Sequence, residues 1–268
     1  GSNLCHALGE FLIGDLMSLR SVLTAMILTA TTAVPALAFD ISAMSDNDRT
    51  LFRSEIRDYL LENPEVLMEA IAVLEERRAE EAAQAEVRML EDNHEAIFND
   101  GYSYVGGNPD GDVTIVEFLD YRCGYCKRAH PAVEELIASD GNIRYIVKEF
   151  PILGEESVVA SRYAISVKNL AGDAAYKTAH DRLMTHNGAI APGYLARLSR
   201  ELGVDHDDVL VEMESDTVNR VIAETRALGE RLQFQGTPSF VMGDVFVRGF
   251  MELPQMRSMV AAIRRDQG

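Results

Sequence analysis

The sequence predicts an α/β protein, a sheet with helices packed on it, interrupted by an all-helical insertion and preceded by an extended N-terminal helical stalk. Three observations predict it. The β-branched and aromatic run Val113-Thr114-Ile115-Val116-Glu117-Phe118-Leu119 leads directly into a helical pattern through Val133, Leu136 and Ile137. Strand patterns return only after a long, almost wholly helical stretch, at about 155–232. Ahead of all this lies a charge-rich segment of purely helical periodicity.

Taken in order, the first element is an export signal. Met17 opens a stretch with one basic residue, Arg20, an apolar run from about Val22 to Val34, and the small-residue triplet Ala36-Leu37-Ala38. This is the pattern of a secretory signal peptide cleaved after Ala38, so residues 1–38 are assigned to a removed leader. The run is too short and too rich in Thr and Ala to span a bilayer. The leader carries Glu10, Asp15 and Arg20, so its loss changes the net charge from −18 to −17. Such a surface repels phosphate backbones and anionic lipid, which argues against nucleic acid as a partner.

Residues 39–100 read as the stalk. Phe52, Ile56 and Leu60 form one stripe, and Leu67, Ile71 and Leu74 continue it after Asn63-Pro64, where a new helix begins. Beyond the charged run Glu75 to Glu81, Ala83, Val87, Leu90, His94 and Ile97 resume a 4-3-4-3 spacing that suits a seam for another helix. A helix of roughly 35 residues would be about 50 Å long, more than a small domain needs, and so reads as an arm whose stripe serves self-association, the alternative being packing back on its own domain.

Residues 101–268 form the α/β domain. Gly106-Gly107-Asn108-Pro109-Asp110-Gly111 reads as the turn that opens it. Strands follow at Val113 to Leu119 and Ile143 to Lys148, then the helical insertion with breaks near Asn187-Gly188 and Gly203-Val204. Ser239 to Met242 and Val245 to Val247 form a hairpin around Gly243-Asp244, and a last helix follows Pro254.

The chemistry centres on Cys123-Gly124-Tyr125-Cys126. With Cys5 in the leader, these are the only two thiols of the mature chain, which leaves none for structural bridges. At a helix start, exposed N–H groups and the helix dipole favour a Cys123 thiolate, and Cys126, within one turn, can resolve what Cys123 attacks. Gly124 and Tyr125 tune the pair. The competing use is metal, with Cu(I) on Cys123 and Cys126 as the favoured form because a soft ion prefers thiolates. No second CxxC or paired histidine spacing completes a zinc site, although His130 falls four positions after Cys126. The methionines beyond the leader are dispersed as core residues are. Glu117 lies in the apolar strand leading to the pair, where burial holds a proton on the acid for exchange with Cys126, the alternative being a solvated edge carboxylate. Asp120 and Lys148 are weaker candidates for altering the local field. Gly236-Thr237-Pro238 precedes a strand, and Pro238 is either an edge residue or a cis proline.

The segment from Glu117 to Cys126, together with Gly236-Thr237-Pro238-Ser239-Phe240, resembles the bacterial DsbA superfamily of thioredoxin-like disulfide oxidoreductases, over roughly residues 102–265. The stalk, with Tyr59-Leu60-Leu61-Glu62-Asn63-Pro64-Glu65-Val66-Leu67, resembles the N-terminal extension of the ScsC-like branch. The resemblance implies a thioredoxin-like fold, a periplasmic location, Cys123 as nucleophile, Cys126 as resolving thiol, Glu117 as buried acid, and Thr237 placed beside the dithiol by a cis Pro238. It also implies exported cysteine-containing clients, a membrane or periplasmic redox partner, a homo-oligomer with trimers among its forms, no cofactor, and a link to disulfide isomerisation and copper tolerance. Tyr125 stands where the best-known oxidase has His, and Thr237 where it has Val. Both departures lean toward shuffling or reduction.

Overall fold

A computed structural model describes residues 41–267. The leader assigned to residues 1–38 lies outside them. The chain falls into two units, one through Ala70 and one from Ile71 onward. In the first, helix α1 (Asp46–Glu62) starts at Ser45, whose hydroxyl accepts the Asp48 N–H, with Asp46 and Asp48 favourably placed in its first turn. No residue of α1 is buried, and Leu51, Phe52, Ile56 and Tyr59 are all exposed.

Helix α2 (Glu65–Asp92) runs 28 residues and stops at Asn93, short of the single long helix the periodicity suggested. The Asn93 amide donates back to the Met89 carbonyl at 2.8 Å and accepts from Arg231 Nε at 2.6 Å, and the short helix α3 (His94–Phe98) begins afresh. Ile97, expected on a seam facing another helix, is fully buried against Val116, Phe118 and Ile146 of its own domain.

Five strands form one sheet in the order β1-β3-β2-β4-β5. β2 (Val113–Leu119) is parallel to β3 (Ile143–Glu149) and antiparallel to β4 (Ser239–Met242). β5 (Val245–Arg248) closes the hairpin with β4. β1 (Tyr104–Gly107) pairs antiparallel with β3, so Gly106 and Gly107, read from sequence as part of the turn, are strand residues and the turn itself is confined to Asn108–Gly111. Alternation along β2 sends Ile115, Glu117 and Leu119 to one face and Val116 and Phe118 to the other.

The first face is covered by α4 (Gly124–Asp140) and α9 (Leu253–Asp266), through Val133, Leu136, Met256 and Val260. The second packs on Leu228 and Leu232 at the end of α8 (Asp216–Arg231) and on Ile97. At Gly229 of α8 a Cβ would lie 2.6 Å from the Phe150 ring, so only glycine permits this approach. The insertion consists of α5 (Glu155–Thr185, kinked at Gly172, φ 81°), α6 (Pro192–Leu202), α7 (His206–Met213) and α8. No helix among the described residues is long and apolar enough to cross a membrane.

Candidate active site

Central strand β2 delivers the chain to the dithiol. After Leu119, Asp120 turns it: one carboxylate oxygen accepts the Arg122 N–H at 2.7 Å, and the other accepts the N–H groups of Ile152 and Leu153 at 2.8 and 3.0 Å. The Asp120 carboxylate therefore shapes the turn, while its backbone N–H hydrogen-bonds the Cys126 sulfur. Lys148 is likewise structural. Its fully buried ammonium donates to Asp100 at 2.5 Å and to the Ala96 carbonyl at 2.7 Å, which fixes the entry into the domain.

Cys123 is the N-cap residue of α4, extended at φ −76° and ψ 115°, with its sulfur accepting the Cys126 N–H at 3.4 Å. The Thr237–Pro238 bond is cis. The Thr237 carbonyl accepts from the Cys123 thiol at 3.1 Å. Both cysteines are free thiols, and only Cys123 reaches the surface, at 6% exposure against none for Cys126.

Electrostatics separate the two sulfurs. A hydrogen bond from Cys126, aided by the N–H groups of Cys126 and Tyr125 against the opposing effect of burial, lowers the Cys123 pKa to about 5. At neutral pH that makes Cys123 almost entirely thiolate. Burial drives Cys126 the other way, with the Cys123 sulfur and the Glu117 charge adding to it. The first thiol is thus prepared to attack, while the second needs a base.

Glu117 lies on the α4 face of the sheet, 2% exposed. Tyr145 donates to its Oε2 at 2.5 Å, and Oε1 is buried without a partner. Burial raises its pKa to about 7. Such an acid can take up or release a proton at neutral pH. Tyr125, 56% exposed, reaches the Cys123 thiolate only through its backbone; its ring lies 6.2 Å from Phe250, and the Arg128 guanidinium stands 4.6 Å over it. A Cβ on Gly124 would meet nothing within 4 Å. Beside Thr237 and Pro238 an open groove of about 560 Å³ is lined also by Gln233, Gln235, Arg248 and Gly249.

The structure also assembles groups that sequence reasoning missed. Glu149 accepts from Tyr121 (2.7 Å), Tyr176 (2.6 Å) and Ser161 (2.7 Å), and burial raises its pKa to about 7. Tyr121 also meets His180 Nδ1 at 3.1 Å. The one available signal was an acid ending an apolar strand; its partners lie up to 28 residues away in sequence.

A CxxC capping a helix at the end of a central strand, faced by a cis proline just ahead of a neighbouring strand, defines a thioredoxin-type dithiol domain. The chain belongs to the DSBA-like thioredoxin domain family, which matches residues 114–261, and residues 48–81 match the Copper resistance protein ScsC N-terminal domain. Among solved structures it resembles a thioredoxin-like oxidoreductase from Silicibacter pomeroyi, 40% identical, covering 65% of this chain and 98% of that one with a TM-score of 0.61. It is also similar to the thiol-disulfide exchange protein alpha-DsbA2 from Wolbachia pipientis, 29% identical over 67% and 96% of the two chains with a TM-score of 0.63. A curated relative, the Na(+)/H(+) antiporter NhaA 1 of Salinispora arenicola, is 31% identical over 138 residues; the alignment covers 51% of this chain and only 21% of that protein's length.

Proposed function

We propose that the chain is a thiol–disulfide oxidoreductase that exchanges or isomerises disulfides in exported, cysteine-containing proteins of the periplasm. The observation that carries this reading is the asymmetry of the pair: an accessible Cys123 with its pKa near 5 and a buried Cys126 whose proton is held tightly. The Cys123 thiolate attacks one sulfur of a client disulfide, forming a mixed disulfide and releasing the other client sulfur as thiolate. In isomerisation a client thiolate then attacks the mixed disulfide and expels Cys123 unchanged. In reduction Cys126 loses its proton to Glu117 and attacks Cys123, which frees the second client thiolate and leaves a Cys123–Cys126 disulfide.

An extended client segment docks along the groove beside Pro238, pairing with the Thr237 backbone. The exposed apolar residues of α1 and the start of α2 support self-association, which would raise the effective concentration of active sites around one misfolded client. A redox partner in the membrane or periplasm would reset the pair. The test is trapping. Cys126→Ser should accumulate a mixed disulfide with a scrambled multi-disulfide client, reversible by reductant, and Cys123→Ser should accumulate none. Equal trapping by both variants would refute the assignment of roles.

The match to a copper resistance domain over residues 48–81 favours a second reading, Cu(I) held by Cys123 and Cys126. Cu(I) titration of the reduced chain against Cys126→Ser tests it, and equal weak binding by both would dismiss it.

A further inference from the structure

Apart from the dithiol, we propose that His130, His180 and Asp181 form a divalent metal site of zinc type in the seam between α4 and α5. One donor atom from each lies within 4.8 Å of the other two. His130 Nε2 is 3.2 Å from Asp181 Oδ1, and the two imidazole rings are 5.1 Å apart. Ligands about 2.0–2.2 Å from a tetrahedral ion stand roughly 3.4 Å from one another, so His180 needs to close on the other two by up to about 1.4 Å.

The independent observation is the state of His180. The Tyr121 hydroxyl gives its one hydrogen to Glu149 Oε1 at 2.7 Å. Its 3.1 Å contact with His180 Nδ1 therefore runs the other way, with Nδ1–H donating to the Tyr121 oxygen. That tautomer leaves Nε2 as a bare lone pair, and Nε2 is buried with no hydrogen-bond partner, on a side chain with no exposed surface. A ligating histidine almost always donates its other ring N–H to an oxygen, the role the Tyr121 hydroxyl, held by Glu149, takes for His180 Nδ1.

The rest of the seam is consistent with a cation. Glu134, one turn past His130 on α4, has a second buried oxygen without a partner, Oε1. Lys177 competes for the position, since it donates to both Asp181 oxygens at 2.7 Å. It also pairs with Glu134 Oε2 at 2.9 Å and is partly exposed, so it can keep that partner when Asp181 turns to a metal. Two imidazoles and a carboxylate suit Zn(II) and its first-row neighbours rather than Cu(I).

The test uses the full chain with Cys5, Cys123 and Cys126 all replaced by serine, so that no thiol competes. Titration with Co(II), read by its visible bands and by competition with Zn(II), should show one equivalent bound. His130→Gln and Asp181→Asn, the latter at a partly exposed position, should each weaken binding at least tenfold, and His180→Gln should abolish it. His94→Gln, on the surface, should change nothing, and helical circular dichroism should be alike in all. Should His180→Gln fail to fold, the other two substitutions decide. Binding that is equally weak in every variant would mean that the seam holds only water, and would overturn the site.

Discussion

Replacing Glu117 with Gln isolates the cost of keeping an acid under the dithiol. Burial lifts its carboxyl from an ordinary 4.5 to about 7, with Tyr145 offsetting part of the effect. A shift of that size, at about 1.36 kcal/mol per pKa unit, corresponds to about 3 kcal/mol. The sign follows from where the proton sits. A carboxyl with a raised folded pKa keeps its proton in the folded chain while the unfolded chain releases it. Its contribution is therefore fully present below pH 4.5 and is lost as pH rises through about 7. Gln does not titrate. In urea unfolding of the reduced proteins, E117Q should gain about 3 kcal/mol relative to wild type between pH 4.5 and about pH 8, on top of a constant offset from its altered bond to Tyr145. Glu149 titrates in both chains and cancels. A stability difference that stays flat across this window would refute a buried, protonated Glu117. In kinetics the same variant should slow the Cys126 step and leave the first attack by Cys123 unchanged.

Further outcomes follow from other contacts. Cys126→Ala removes the hydrogen bond that contributes most to the low Cys123 pKa, and Cys126→Ser keeps a donor. At about 1.5–3 kcal/mol for a hydrogen bond to a charged group, the Ala variant's midpoint for alkylation of Cys123 should lie roughly one to two pH units above the Ser variant's. Coincident midpoints would contradict the hydrogen bond. Asp100→Asn leaves the fully buried Lys148 ammonium without its carboxylate and should cost about 3–5 kcal/mol in urea unfolding, with Lys148→Met in the same chain recovering most of it. Deleting residues 46–70 keeps Ile97 and its packing, so the product should retain thiol attack while light scattering shows a monomer and refolding of scrambled client slows. An undiminished oligomer would remove α1 from any role in assembly.

The parts of this fold legible in the sequence are those with local causes. The run Val113 to Leu119 is apolar on both faces because both sheet faces are covered, and the CxxC follows it at the start of a helix. Glu117 was readable as an acid among apolar neighbours, and Thr237-Pro238 as an unusual approach to a strand. β1 was not readable: Tyr104 and Val105 run straight into Gly106 and Gly107, and it is the free edge of β3 that makes a strand of them. The stop at Asn93 depends on Arg231, which is 138 residues away. The Glu149 and His180 networks escaped for the same reason, since each of their residues alone passes for an ordinary core or helix position.

The Asp120 carboxylate has a consequence at the other end of the loop it holds. It secures Ile152 and Leu153, where the chain departs for the insertion, and Arg226 near the insertion's end returns to the Pro151 carbonyl at 2.6 Å. Both ends of the block from Glu155 to Arg231 are thereby tied to the loop that Asp120 holds against the catalytic turn. Because α5 shares the core that contains Cys123 and Cys126 and α8 covers the opposite face of the sheet, the block is part of the frame that holds the sulfurs. A change inside it therefore reaches the reaction as well as whatever the block recognises.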